Sequence, residues 1–168
     1  MKKMLCLVLV GLLFTGGVLA EAQPDAQAAP MQLEELYERY MHLLRISVKS
    51  WHRHYVPPTD DIDDMLALFH ITVEDGRVLR MEMEPDWGLK HTQEDDGLRF
   101  HCILAAFIMD IGEEKITWQM IIEAVGEKQM QLFTGAAEAV PVPLIPPYEY
   151  TYGVRENGTP VIIIKTID

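Results

Sequence analysis

The chain has 168 residues, of which 14 are basic and 26 acidic, for a net charge of −12, and about half (49 %) are apolar. That length and apolar fraction suit one globular domain of ordinary size. The acidic surface argues against nucleic acid and anionic membranes as partners, because both repel it.

Residues 1–20, MKKMLCLVLVGLLFTGGVLA, have the layout of a secretory signal. Lys2 and Lys3 open it, Met4 to Phe14 form the apolar run, and Val18-Leu19-Ala20 is the small-residue cleavage site before Glu21. The alternative is an uncleaved anchor, but Met4 to Ala20 falls short of the ~20 apolar residues a span needs. Cys6 sits inside the apolar run, which does not fit a lipoprotein site. Cleavage removes two lysines and moves the net charge from −12 to −14. It also leaves Cys102 as the sole cysteine, so an intramolecular disulfide is ruled out and a buried, inert thiol is expected beside Ile103 and Leu104. Residues 21–31, EAQPDAQAAPM, lack an apolar period and read as a disordered linker. The remainder, 32–168, reads as a single domain.

From Gln32 to Tyr55 the pattern is helical. Leu33, Leu36, Tyr37, Tyr40, Leu44, Val48, Trp51 and Tyr55 recur every three or four residues and make one apolar stripe. Early Glu34, Glu35 and Glu38 and late Lys49 and Arg53 suit the helix dipole. Trp51 is expected to anchor this helix on the sheet, and Pro57-Pro58 ends it. The acidic run Asp60, Asp61, Asp63, Asp64 follows.

Met65 to Met83, MLALFHITVEDGRVLRMEM, reads as a β-hairpin around Glu74-Asp75-Gly76. A two-residue loop would set Phe69 opposite Glu82 and Ile71 opposite Arg80. A three-residue loop instead pairs Ile71 with Leu79, Phe69 with Met81 and Ala67 with Met83, which gathers one apolar face, so this register is expected. Pro85 to Gly97 is a polar loop. Leu98 to Ile111 and Ile116 to Val125 admit two readings. Ala105, Ala106 and Met109 suit a pair of short helices, whereas Ile116-Thr117-Trp118 and Met120-Ile121-Ile122 favour a second hairpin, which is the expectation. Glu127 to Val140 is helical in propensity, interrupted by Gly135 and stopped by Pro141 and Pro143. Tyr148–Val154 and Val161–Ile167 are strands about the Asn157-Gly158 turn, the second buried on both faces. The expected fold is α+β, with the first helix packed on an antiparallel sheet and a second helix before the closing strands.

Few residues suggest chemistry. His52 and His54 beside the Asp60–Asp64 cluster are the candidates for a metal site or small-enzyme site. On a helix, though, residues two apart point in opposed directions, and the acidic run lacks the glycine and distal glutamate of a calcium loop. Ser47 and Ser50 lie on the helix without a nucleophile elbow. His101 and Cys102 are adjacent, which in a strand places them on opposite faces. His70 reads as structural, and Asn157-Gly158-Thr159 as a turn rather than a glycosylation acceptor. No catalytic residue, cofactor or metal is assigned.

The order of elements resembles the C-terminal domain shared by the TonB and TolA periplasmic proteins. The residues that carry the likeness are Trp51 with Pro57-Pro58, then Phe69 to Val78, then Ala136-Ala137-Glu138-Ala139-Val140-Pro141-Val142-Pro143. Two features depart from that pattern. Lys90 to Glu127 is longer, and Asp86-Trp87-Gly88 stands where a Ser-Gly follows the second strand. The eleven-residue linker (residues 21–31) spans at most about 36–40 Å, too short to transmit force across a periplasm. The resemblance implies a periplasmic or secreted domain without stable membrane insertion that binds an envelope or secreted protein by strand addition. The terminal strand is the expected edge, with Val161, Ile163, Lys165 and Ile167 as partner-binding positions.

Overall fold

A computed structural model of the chain describes residues 28–51, 61–84, 94–112, 115–135 and 140–167. Helix α1 (Leu33–Trp51) and helix α2 (Ile62–Phe69) precede strands β1 (Ile71–Glu74) and β2 (Arg77–Met83). Helices α3 (Glu94–Ala106) and α4 (Trp118–Gly135) come next, then β3 (Val142–Pro143), β4 (Tyr148–Val154) and β5 (Pro160–Thr166). The strands form one antiparallel sheet in the order β1-β2-β5-β4-β3. The fold is α+β.

Helix α1 follows its sequence period. Leu36, Tyr40, Leu43, Leu44 and Val48 are buried, and Leu33 and Tyr37 pack at the margin of the same core. The signal segment, residues 21–27, the Trp51 side chain, His52, His54 and Asp60 lie outside what is described. The last linker residues do not behave as a linker. Pro30 accepts a hydrogen bond from Arg77, Met31 is buried, and the Val78 amide donates to the Met31 carbonyl at 2.9 Å. The Tyr148 hydroxyl closes this corner: it accepts from the Met31 amide and donates to the Val78 carbonyl, each at 2.8 Å.

The expected first arm of the hairpin is half helix. Asp61 caps α2, accepting from the Asp64 amide at 2.9 Å, while the Asp64 carboxylate reaches back to the Asp61 amide. That reciprocal capping box, with strong helix formers Met65 to Leu68 after it, outweighs apolarity that a strand would also tolerate. His70 ends the helix in the left-handed region at φ 46° and turns the chain into β1.

The hairpin register is also corrected. The loop has two residues, Asp75 and Gly76, both at positive φ (49° and 75°), and Glu74 pairs with Arg77. Alone, that loop would set Ile71 against Arg80. Val73 pairs with Val78 in the register of the loop, and a bulge at Leu79 beyond it restores the apolar face by pairing Ile71 with Met81. The sequence argument recognised the need for an extra residue but placed it in the loop rather than in the strand.

The expected second hairpin is the helix pair α3 and α4. From Cys102 to Phe107 every residue is buried, so α3 shows no amphipathic period, and its apolar run reads like a buried strand. Helix α3 packs against both α1 and α4. Its end is capped by Arg39 of α1, whose guanidinium donates to the carbonyls of Ala106 (2.9 Å) and Met109. A fixed cation there satisfies carbonyls that have no helical partner and opposes the negative end of the dipole. Phe107 then meets Tyr148 edge-to-face, joining the helical layer to the sheet.

Strand β5 is the centre of the sheet, paired with β2 along Ile162–Lys165 and with β4 along its full length. Ile162 and Ile164 face the helices, with Met81, Met83, Tyr148 and Tyr150, while Val161 and Ile163 are buried on the opposite face. The terminal strand is therefore not an edge, contrary to the sequence expectation. Its sequence neighbour β4 covers one side of β5, and β2 covers the other by returning to it across the whole α3–α4 excursion.

Candidate functional site

The two rims of the sheet differ in what they offer. At one rim, β3 is flanked by Pro141 and contains Pro143, neither of which has a backbone N–H to donate. Lys128 of α4 donates to the Pro143 carbonyl at 2.9 Å and occupies that acceptor. At the other rim, β1 is free of proline, and among the described residues it pairs only with β2. Thr72, Glu74 and Asp75 are exposed along it, and Asp61, Asp63 and Asp64 are exposed on the helix that leads into it.

The residues expected to bind a partner on β5 are engaged elsewhere. Ile163 lies over Gly153, where an added Cβ would come within 2.9 Å of Ile163 Cδ1 and force that side chain to shift. Lys165 pairs with Glu149 of β4 at 3.1 Å. Ile167 is exposed just past the strand, its amide donating to the Pro147 carbonyl at 2.7 Å. Beside Val161 and Ile163, Glu82 receives Arg80 Nε at 2.7 Å and Arg155 Nε at 3.4 Å. Burial pushes the Glu82 carboxyl up, but the hydrogen bonds and charges of the two arginines outweigh it and hold the group below its ordinary value.

Of the residues considered for chemistry, His52, His54 and Asp60 lie outside the described residues. Cys102 is buried on α3, 3.3 Å from Ser47 Oγ, and burial pushes its thiol up to about 12, which removes the thiolate a nucleophile needs. His101 is on a helix rather than a strand. Its Nδ1 lies 2.7 Å from the Gly97 carbonyl and its ring meets Phe100 and Trp118 edge-on. Asp61 and Asp64 are used as the α2 cap, and His70 is the exposed residue that ends that helix. Among the described residues no three His, Cys, Asp or Glu side chains gather to hold a metal. No described helix is long and apolar enough to cross a membrane.

One surface was missed by the sequence reading. Helix α4 buries Ile121, Val125 and Leu132, yet Ile122, Met130 and Phe133 are exposed at 37 %, 69 % and 49 %. With Gly126 they form a second stripe at spacings of four, four and three, about 80° of arc on a helix of 3.6 residues per turn. Among the described residues nothing lies within 4 Å of where a Cβ would stand on Gly126. Glycine inside a helix costs about 0.5–1 kcal/mol relative to alanine, and no packing among the described residues requires it here. The period was there to be read, but the reading split this helix between a strand and a later helix.

Comparison with known proteins gave no match: no family model fits the chain, and neither a curated protein nor a solved structure matches it.

Proposed function

We propose that this chain is an exported, non-enzymatic domain of the periplasm or secreted space that binds a partner protein by adding an extended segment of it to β1. The contrast between the rims carries this reading: β3 is closed by Pro141, Pro143 and Lys128, β5 is central, and β1 keeps an unpaired side among the described residues. An unpaired strand side supplies a row of donors and acceptors that an extended chain satisfies at once. The likeness to the TonB and TolA domains agrees with this mode, and the central place of β5 moves the proposed edge from the terminal strand to β1. The acidic residues around β1 would steer a basic segment towards it. Export follows from the signal-like first 20 residues and would be seen as a mature mass beginning at Glu21.

A photoreactive amino acid placed in turn at Thr72, Glu74 and Ile167 tests the site in an envelope extract. The proposal expects a cross-linked partner peptide at Thr72 and Glu74 and little at Ile167. Adducts confined to Ile167, or none at the β1 positions under conditions that retain a co-purifying partner, would refute it.

A further inference from the structure

We propose that the outer face of α4 docks a basic amphipathic helix of a partner protein, at a surface separate from the β1 rim. Helix α4 packs over β3 and β4, the opposite end of the sheet from β1. Three independent features of this face are unfavourable in the isolated chain. Ile122, Met130 and Phe133 expose an apolar stripe to water. Gly126, in the middle of that stripe, weakens the helix without making room for any other described residue. Glu123 and Glu127 are exposed one turn apart on one flank of the stripe, where like charges repel. Their carboxylates have only amide partners among the described residues, Gln119 at 2.8 Å and Gln131 at 3.2 Å.

One occupant relieves all three. An apolar helix face covers Ile122, Met130 and Phe133, and the missing side chain at Gly126 lets the two backbones approach closely. Lysines or arginines on the flank of the incoming helix then meet Glu123 and Glu127. The same flank disfavours other occupants. In a second copy crossing antiparallel about Gly126, Glu123 and Glu127 would face their own counterparts, and a bilayer gains nothing from two carboxylates at its surface. Local rules broken together on one face mark a surface selected for something outside the chain.

The test uses the full mature chain and a synthetic 18-residue Leu/Lys amphipathic helix, with a scrambled peptide of the same composition and a Leu/Glu helix as controls. Titration calorimetry is expected to show binding of the Leu/Lys helix alone. The charge-neutral triple variant Ile122→Ser, Met130→Ser, Phe133→Ser should weaken it at least ten-fold while the far-ultraviolet spectrum stays unchanged. Glu123→Gln with Glu127→Gln should weaken it several-fold and flatten its salt dependence, and Gly126→Leu should also weaken it. Equal binding of the scrambled or Leu/Glu peptide, or undiminished binding to a folded triple variant, would overturn the proposal. So would a concentration-dependent dimer that the triple variant abolishes, or binding to phosphatidylcholine vesicles lost in that variant.

Discussion

Helices α3 and α4 are similar in sequence apolarity and opposite in use. Around Cys102 to Ala106, α3 is enclosed, with α1 and α4 packed against it, so each side chain of that stretch is part of the core. Helix α4 gives one face to that core and keeps a second apolar face in water. Apolar content alone therefore does not say which surfaces a domain consumes in folding and which it keeps. The pattern around the helix does.

The largest effect that separates the two helices is truncation. Ile103→Ala in α3 should cost about 2–5 kcal/mol in urea unfolding, the cost of an enclosed cavity. Phe133→Ala in α4 should stay within about 1 kcal/mol, because half of that ring is already in water. A loss at Phe133 equal to that at Ile103 would erase the distinction. Next in size is the cap that holds α3 against α1. Arg39→Ala leaves the Ala106 and Met109 carbonyls without their charged donor and should cost about 1.5–3 kcal/mol. Lysine at this position should restore only part, since it cannot reach both carbonyls with a rigid fork.

The enclosure of α3 also predicts a pH dependence. The Cys102 thiol holds its proton up to about 12 in the folded chain, above the ordinary thiol value near 8.5 in the unfolded one. Between these values the unfolded state binds fewer protons than the folded state, so stability falls as pH rises through that window. Cys102→Ala should flatten this alkaline decline, and in the wild type a thiol reagent at pH 8 should label the unfolded protein but not the folded one. The smallest effect returns to α4. Gly126→Ala should stabilise the chain by about 0.5–1 kcal/mol, since no neighbour stands in the way of the added methyl. Destabilisation would mean that the face is covered within the chain.

What was legible in the sequence was local. The stripe of α1, the place of the Asp-Gly turn and the two closing strands depend on neighbours a few residues away, and each was read in the right place, although the loop is one residue shorter than expected. The α2 helix was locally written too, in Asp61 and Asp64, but its apolar run drew the strand assignment instead. The bulge at Leu79 is visible only once Ile71 must meet Met81. From Cys102 to Ala106, helix α3 carries no period to read because that stretch is buried all round. The position of β5 is a long-range pairing with β2, and nothing near Val161 encodes it. That one misplacement put the expected edge in the middle of the sheet.

Residue-resolved amide hydrogen exchange on the purified chain tests the account most directly, because the position of β5 decides which rim is free. Ile162, Ile163 and Ile164 should be among the last amides to exchange, limited by global unfolding, while β1 retains faster-exchanging amides on its outer side. If the β5 amides exchanged as quickly as the exposed Asp75-Gly76 turn, with β1 protected throughout, the terminal strand would be the edge after all and the proposed binding rim would be wrong.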